Sequence, residues 1–596
     1  MLDGLNDTQK KAVQAGDGPL LIVAGAGSGK TKTLTTRLAY LIAEKGVSPS
    51  RILAITFTNK AAKEMKERVA TLLATINKKT SGAPFLGTFH SFGAYMLRKE
   101  ARKVGRDASF TIYDRNDTTR VIKECIKKSS TTEGTLNPSK ALKTISRIKS
   151  ELLSEEEFWG NKKDQQYWVL YQAYEKELQA QNAFDFDDLI QKVVQIFSQH
   201  KEVLTKWQGK YDYILIDEYQ DVNTAQYHMV RLLAQPHQNI NVVGDDQQSI
   251  YRFRFSDFRN FLNFEKDWNN TNVVLLEQNY RSSSTIIDAS SALIANNINQ
   301  KKKTLWTNNP KGEPIHIAEY DNEFAQADAV ADIVDGQLQK GLVTGILFRT
   351  NAQSRALEHI FLERGVPYTL FGALSFYERK EIKDLVAALR IALNPKDKVS
   401  VQRLEGVLYK KRTKALQDGL ATYAKEYAPA ELLEWIIKST DYLAIVERSM
   451  NKTQERLENI SELMYFASQF SDLGTFMEQI ALASPFDSMQ KRAKKSADDT
   501  GAHMMTIHLA KGLEFDVVHV IGVNEGLIPH QQSLFSQEEI EEERRLMYVA
   551  MTRAKKELYL HWYDIPSRFL SEIPGDCVDI QGGMPLEDEE RYIEYD

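Results

Sequence analysis

The chain has 596 residues, a formal net charge of −5, 42% hydrophobic and 26% charged residues, and two cysteines. That length calls for several cores, and the composition excludes collagen-like, disordered and disulfide-stapled classes. No apolar run of about eighteen residues offers a membrane span, and the opening MLDGLNDTQKK lacks an apolar signal-peptide core.

Cys125 and Cys577 show no metal-ligand spacing and read as free thiols of a reducing cytosol. The mild negative charge does not announce a nucleic-acid binder, but binding needs only a local basic surface. Arg98–Arg106, Lys410–Lys414 and Lys491–Lys495 are basic clusters of that kind, each also readable as a solvated face.

In chain order, Leu20–Ala24 is a wholly apolar run, as expected of a parallel strand buried on both faces. It runs into Gly25-Ala26-Gly27-Ser28-Gly29, a turn able to aim successive N–H groups at an anion. Lys30 adds a positive charge for the β- and γ-phosphates, and Thr31 a hydroxyl for Mg²⁺. A helical pattern follows, so the phosphates would sit on a helix N-terminus. Ala24 stands where the usual pattern begins with Gly.

Further strands are predicted at Ile52–Thr56, Tyr213–Ile216, Ile240–Val243 and Val273–Leu276, alternating with helices as in a parallel α/β sheet. From Gly93 to about residue 206 the pattern turns helical, with Trp159, Trp168 and Tyr171 as core anchors. A second alternating section predicts strands at Ile315–Glu319, Gly345–Phe348, Tyr368–Phe371, Met504–Ile507, Val517–Ile521 and Leu558–Trp562. It is interrupted by a helical stretch from Arg379 to Gly501 and followed by an acidic tail.

Two more strand ends carry chemistry. Tyr213–Ile216 delivers Asp217, placed to hold Mg²⁺, and Glu218, suited to polarise an attacking water. That adjacent pair favours hydrolysis over transfer to a substrate hydroxyl. A guanine-specifying Asn-Lys-x-Asp is absent, since Asn59-Lys60 is followed by two alanines. The third strand end, VVGDDQQSIYRFR (242–254), offers Gln248 as a γ-phosphate sensor. Tyr251, Phe253, Arg252 and Arg254 follow at once, and aromatics interleaved with arginine suit base stacking and phosphate contact. FDFDDL (184–189) could suggest a metal site, but its acids read better as helix-end or positioning groups.

These blocks resemble, in order, those of superfamily-one DNA helicases of the UvrD/Rep/PcrA type. The likeness runs through Leu5-Asn6-x-x-Gln9, AGAGSGKT (24–31), TFTNKAAKEM (56–65), GTFHSF (87–92), IDEYQDVN (216–223), LEQNYRS (276–282), LFRTNAQSR (347–355), TIHLAKGLEFDVVHVIG (506–522) and EERRLMYVAMTRAKKEL (542–558). The resemblance implies an α/β fold: two RecA-like P-loop motor domains with parallel sheets, each interrupted by a mainly helical insertion. The first motor domain would occupy 1–92 and 207–280 around an insertion at 93–206. The second would occupy 281–378 and 502–565 around a shortened insertion at 379–501, with an acidic tail at 566–596.

It further implies an ATP-dependent helicase moving 3′→5′ on single-stranded DNA, or else a translocase that displaces bound proteins and unwinds only with a partner. ATP and Mg²⁺ are the expected cofactors. Single-stranded DNA and its junctions with duplex are the expected substrates, accessory repair or replication proteins the candidate partners, and a bacterial-type cytosol or nucleoid the location. By resemblance Lys30, Glu218, Gln248, Arg281 and Arg553 are catalytic. Gln9, the loop Gly25, Ala26, Gly27, Ser28 and Gly29, with Lys30, Thr31, Tyr280 and Glu514, would bind nucleotide; Thr31 and Asp217 would bind the metal. Phe57, Thr58, Asn59, Thr88, Phe89, His90, Tyr251, Phe253, Arg254 and His508 would face DNA. A helicase–nuclease is disfavoured because no PD-(D/E)xK-type segment follows Trp562, and an inactive scaffold because every ATPase position is filled. Three departures stand out: Phe253-Arg254-Phe255-Ser256 replaces the usual Trp-Arg-Gly-Ala, Tyr219 replaces the commoner Phe, and no Gly-Ile-Gly turn is evident around Val407–Leu420.

Overall fold

The computed structural model describes residues 1–75, 82–128, 136–158, 162–371, 379–424, 426–448, 453–482 and 501–581. Trp159 and residues 582–596 lie outside them.

Apolar runs with turn-forming ends pair into two all-parallel sheets. The first has six strands in the order Phe85–Thr88, Ile52–Thr56, Tyr213–Ile216, Ile240–Gly244, Leu20–Ala24, Asn272–Leu276. Leu20 is opposite Asn241 on one side and Asn272 on the other, so the phosphate-loop strand is internal. Every residue of Leu20–Ala24 and Ile52–Thr56 is buried, because separate apolar cores cover both faces of the sheet. The second sheet has seven strands, ordered Tyr368–Leu370, Ala502–Thr506, Thr344–Phe348, Phe515–Val520, Ala554–Tyr563, Ile315–Tyr320, Val578–Gln581. It too has a core on each face.

Sequence patterning located the internal strands and the edges Asn272–Leu276 and Tyr368–Leu370, and missed the two other edges. Phe85–Thr88 is short and only its last three residues are buried, and Val578–Gln581 alternates half-buried with exposed residues. The latter corrects the expected tail at 566–596: Phe569, Leu570, Ile573 and Cys577 enter the second core, and Val578–Gln581 pairs with Ile315–Ala318.

The segment expected as a first insertion, 93–206, does not pack apart throughout its length. Helices Phe89–Glu100, Asp188–Gln199 and Lys201–Gln208 contribute Phe92, Leu97, Val193, Phe197 and Trp207 to the core under the first sheet. Gly93 permits that approach, since a Cβ there would stand 2.0 Å from the Leu189 carbonyl oxygen. The independent core is smaller and includes Tyr113, Val121, Ile122, Ile145, Tyr174 and Leu178. A two-stranded parallel pair, Thr111–Tyr113 with Ala183–Asp185, joins the two cores.

FDFDDL builds that joint. Lys149 is fully buried, with its ammonium 2.7 Å from Asp185, 2.8 Å from Asp188 and 2.7 Å from Glu175. Tyr174 donates to Asp185 at 2.8 Å. Asp185 and Asp188 of this motif are thus held in an ion-pair cluster.

A second helical group, Lys380–Leu393 through Leu473–Leu482, has its own core. Helix Lys398–Tyr423 is broken at Tyr409 (φ 62°, ψ 155°), within the stretch where the Gly-Ile-Gly turn was sought. The group docks on the first insertion through polar contacts. Tyr113 donates to Asp397 at 2.8 Å, Asn394 donates to the Gln181 carbonyl at 2.8 Å, and Lys383 pairs with Asp114 at 2.8 Å.

Replacing Lys149 with Met removes the ammonium that Asp185, Asp188 and Glu175 share, and leaves Lys192, which reaches Glu175 at 2.5 Å and Asp188 at 3.8 Å, to offset their repulsion only in part. Local stability is expected to fall by about 3–5 kcal/mol. Faster amide hydrogen exchange in helix Pro138–Glu151, with the Leu20–Ala24 strand unchanged, would register it.

Candidate nucleotide cleft and nucleic-acid face

The strand Leu20–Ala24 ends in a turn whose Gly27 (φ 64°) and Gly29 (φ 81°) take left-handed conformations that suit glycine. Gly29 is also the N-cap of helix Lys30–Ala43. A glycine-rich turn at a helix start of this kind is able to cradle an anion. Ala26 is buried, and Ser28 donates its hydroxyl to the Gly25 carbonyl at 2.8 Å. Lys30 Nζ lies 3.3 Å from the Gly25 carbonyl and 3.5 Å from Asp245.

Helix Asp7–Gln14 is fastened over this loop by Arg37. Its buried guanidinium donates to the carbonyls of Val13 at 3.0 Å and Ala15 at 2.9 Å. Asn6 and Gln9 form a reciprocal capping box, and the Gln9 amide donates to the Ser28 carbonyl at 2.9 Å. Asn6 also donates to Tyr280 Oη at 2.8 Å. Tyr280 is 49% exposed and its backbone N–H donates to the Gly27 carbonyl at 3.0 Å. Gln9 and Tyr280 thus frame one rim of the phosphate loop.

Asp217 follows its strand directly, and the Thr31 hydroxyl donates to it at 3.1 Å. Burial and the neighbouring Glu218 charge push Asp217 up to about 7, against Thr31 and Lys30. Burial would raise Glu218 as well, but Lys30 and Lys511 outweigh it and hold that carboxyl below the usual range. Glu218 has a left-handed backbone (φ 53°, ψ 42°), a conformation that costs a non-glycine residue about 1–3 kcal/mol and clusters at functional sites. Gln220 donates to Glu218 at 2.6 Å and accepts from the Asp245 N–H at 2.9 Å.

The second sheet's side supplies the facing cations. Arg553 is buried; it donates to Gln248 Oε1 at 3.2 Å and to the Leu513 carbonyl at 3.2 Å. Burial and the nearby Arg281 charge bring Arg553 down to about 9. Arg281 pairs with Glu514 at 3.0 Å and donates to the Thr552 carbonyl at 3.1 Å. Lys511 pairs with Asp221 at 2.5 Å and donates to the Gln248 carbonyl at 2.6 Å. The structure therefore brings Lys30, Thr31, Asp217, Glu218, Gln248 and Arg553 into one connected cluster, with Gln9, Tyr280, Arg281 and Glu514 around it.

Three members escaped sequence reasoning. Asp245 and Lys511 lie inside recognised blocks, where a strand-end acid and the Lys of LAKGLEF were available signals. Lys303, whose ammonium lies 2.7 Å from Asp245, sits in a plain run of lysines and gave none.

On the neighbouring face, Phe57 stacks on Tyr251 with centroids 5.2 Å apart and planes at 10°. Phe253 meets Tyr251 at 6.0 Å and His508 at 5.3 Å, so the ring series crosses from one sheet to the other. Arg254 lies 5.5 Å over both Tyr251 and Phe253. Phe253 is 55% exposed while Tyr251 is 2% exposed, so Tyr251 backs the platform and Phe253 presents it. Thr58 accepts from the Ala61 N–H at 3.1 Å at the start of helix Asn59–Thr75.

His90 stacks on Phe186 of FDFDDL at 4.0 Å, extending the aromatic surface with a ring that motif reading did not single out. Burial and Arg254 push His90 down to about 3, and burial with Arg349 and other cations does the same to His508, so both rings are neutral at pH 7. Phe89 belongs to the apolar core, and Thr88 caps its helix with Ser91. Their side chains are therefore turned to structure, as are those of Thr58 and Tyr251, whereas Phe253 is exposed. Phe255 takes the left-handed conformation (φ 64°) at the position where the expected Gly is missing.

Residues 5–269 match the family model described as the UvrD/REP helicase N-terminal domain. Residues 274–443 and 409–564 match the UvrD-like helicase C-terminal domain. The chain is 41% identical over 651 residues to the ATP-dependent DNA helicase PcrA of Bacillus subtilis, spanning 97% of this chain and 87% of that protein. It is 39% identical over 642 residues to PcrA of Staphylococcus aureus, with 97% and 87% covered. To PcrA of Staphylococcus epidermidis it is 37% identical over 647 residues, with 98% and 88% covered.

The loop's close contacts make Gly27 a test of the cleft. A Cβ there would stand 2.6 Å from Asn279 Nδ2 and 2.9 Å from Arg281 Cβ, at a positive φ. Gly27→Ala is expected to cost about 1–2 kcal/mol in backbone strain alone. It should also loosen the cleft, measured as faster hydrogen exchange at residues 276–282 and a lower Tm.

Proposed function

Because this chain belongs to the UvrD/REP helicase family and is an ATP-dependent DNA helicase, we propose that it is a 3′→5′ motor on single-stranded DNA, powered at the cleft between the two sheets. The observation that carries this reading is the segment from Asp245 to Arg254. Its Gln248 bonds Arg553 in the cleft, and its Phe253 is the exposed ring of the platform. One short stretch thus touches both the candidate ATP site and the candidate DNA face.

In this reading Lys30 and the loop N–H groups hold the phosphates, while Gln9, Tyr280 and Glu514 bound the base and ribose. Glu218, kept ionised by Lys30 and Lys511, accepts a proton from the water that attacks the γ-phosphorus. The bond to the β–γ bridging oxygen breaks, and Arg281 and Arg553 stabilise the charge that develops there. Thr31 and Asp217 present hard oxygen donors suited to Mg²⁺, which would neutralise phosphate charge when bound. Because the arginines come from the second sheet's side, hydrolysis is tied to the closeness of the two sheets. Phe57, His90, Phe253, Arg254 and His508 then form a sequence-tolerant stacking and phosphate-contact surface, worth roughly 1–3 kcal/mol per stacked base. Such a motor works where the chromosome is, in the cytosol or nucleoid of a bacterial-type cell.

Unwinding assays on 3′-tailed and 5′-tailed duplexes across a protein-concentration series test the motor reading. Strand separation is expected with the 3′ tail alone, and preference for the 5′ tail would overturn the polarity. Translocation without strand separation would favour displacement of bound proteins as its work.

Glu218→Gln is expected to retain ATP binding while DNA-stimulated turnover falls about 10²–10⁴-fold. Single-turnover hydrolysis together with binding of a fluorescent ATP analogue separates the two effects. Normal hydrolysis would remove Glu218 as the base.

A further inference from the structure

Lys303 lies outside every motif that marks the cleft, yet its side chain is fully buried. A buried ammonium is unfavourable unless anions compensate it. Two do: Asp245 Oδ1 at 2.7 Å and Asp246 Oδ1 at 3.1 Å. The lysine arrives on the segment between helix Ser284–Ala295 and strand Ile315–Tyr320, which crosses back over the first sheet's edge. That crossing is fastened on both sides of Lys303. The Lys301 N–H donates to Asp246 at 2.8 Å, the Thr304 N–H donates to Glu277 at 2.8 Å, and the Trp306 N–H donates to the Glu277 carbonyl at 3.1 Å.

Asp245 is the shared acceptor. Its Oδ2 accepts from Gln248 Nε2 at 2.5 Å and lies 3.5 Å from Lys30 Nζ. Gln248 in turn accepts from Arg553. One carboxylate therefore meets the phosphate-loop lysine, the glutamine beside the arginine finger, and Lys303. The two lysines approach different oxygens, so Lys303 can keep Asp245 paired while Lys30 turns to another anion. Without Lys303, the Asp245 charge would compete with the phosphates for Lys30.

We propose that Lys303 is a positioning residue for ATP hydrolysis, holding Asp245 against Gln248 and releasing Lys30 to the phosphates. The inference rests on the cleft being the ATP site, as proposed above.

Steady-state, DNA-stimulated ATPase of the full chain tests it, with Tm and single-stranded DNA affinity measured for each variant. Lys303→Met is expected to raise the KM for ATP and lower kcat by roughly tenfold or more, with DNA affinity unchanged. Lys303→Arg should recover most of the loss, because charge and reach are kept. Asp245→Asn combined with Lys303→Met should be no worse than Asp245→Asn alone, since the lysine acts through that carboxylate. This double variant also removes the closer of the two buried carboxylates that Lys303 compensates, should Lys303→Met fail to fold. Wild-type kcat and KM in folded Lys303→Met, or a double variant whose losses multiply, would overturn the proposal. Lys30→Ala run alongside separates the two levels. Its loss of turnover beside a fully active Lys303→Met would sink only the Lys303 inference, whereas retained turnover in Lys30→Ala would sink the ATP-site reading beneath it.

Discussion

Buried negative charge at one sheet edge is the constraint from which the cleft follows. Asp217, Asp221, Asp245 and Asp246 are buried where the strands Tyr213–Ile216 and Ile240–Gly244 end, with Glu218 half-buried among them. Carboxylates in such a place need cations and hydrogen-bond donors close by. Lys30 is the nearby cation from the first sheet's own loop; Lys303, Lys511 and Arg553 arrive from later in the chain. The two halves are therefore electrostatically incomplete without each other. A triphosphate is a polyanion, so its arrival would draw on the same cations that the carboxylates hold. That competition is a physical route by which nucleotide could alter the fit between the halves.

The aromatic surface depends on the same contact. Tyr251 is in the apolar core of the second sheet although it follows a strand of the first, and its hydroxyl donates to the His508 carbonyl at 3.3 Å. Arg252 pairs with Glu538 at 2.7 Å, and its N–H donates to Glu542 at 3.1 Å, which ties the segment to helix Gln537–Met551. Phe253 is thus carried on a stretch clamped by the other half. A shift between the halves would move the exposed ring, which is what coupling of hydrolysis to movement along a strand requires.

The insertions add a second, separate contact. Their interface is rich in polar groups: Asp397 accepts from Tyr113 and caps its own helix through the Ser400 N–H at 3.0 Å. Polar interfaces of this kind depend on geometry and are easily exchanged for water once that geometry is lost. The position of the second insertion is consequently a property of this contact as well as of its linkers.

Much of the architecture was legible from the chain alone. Most internal strands announced themselves as short, largely apolar runs because parallel strands covered on both faces are mainly apolar, with few polar residues such as Asn241. The phosphate loop, Asp217-Glu218 and Gln248 were legible because their chemistry demands particular residues at fixed distances from a strand end. Two edge strands, Phe85–Thr88 and Val578–Gln581, were not, since a strand with one neighbour needs no continuous apolar run, although the edges Asn272–Leu276 and Tyr368–Leu370 kept mostly apolar residues. Nor did the sequence reveal that Phe89 turns inward while Phe253 faces out, because both are aromatics beside a basic or polar motif and only packing distinguishes them. Lys303 was the least legible of all. Its identity as a buried partner of Asp245 exists only once a distant segment crosses the sheet edge, and local sequence carries no record of a contact made across 58 positions of chain.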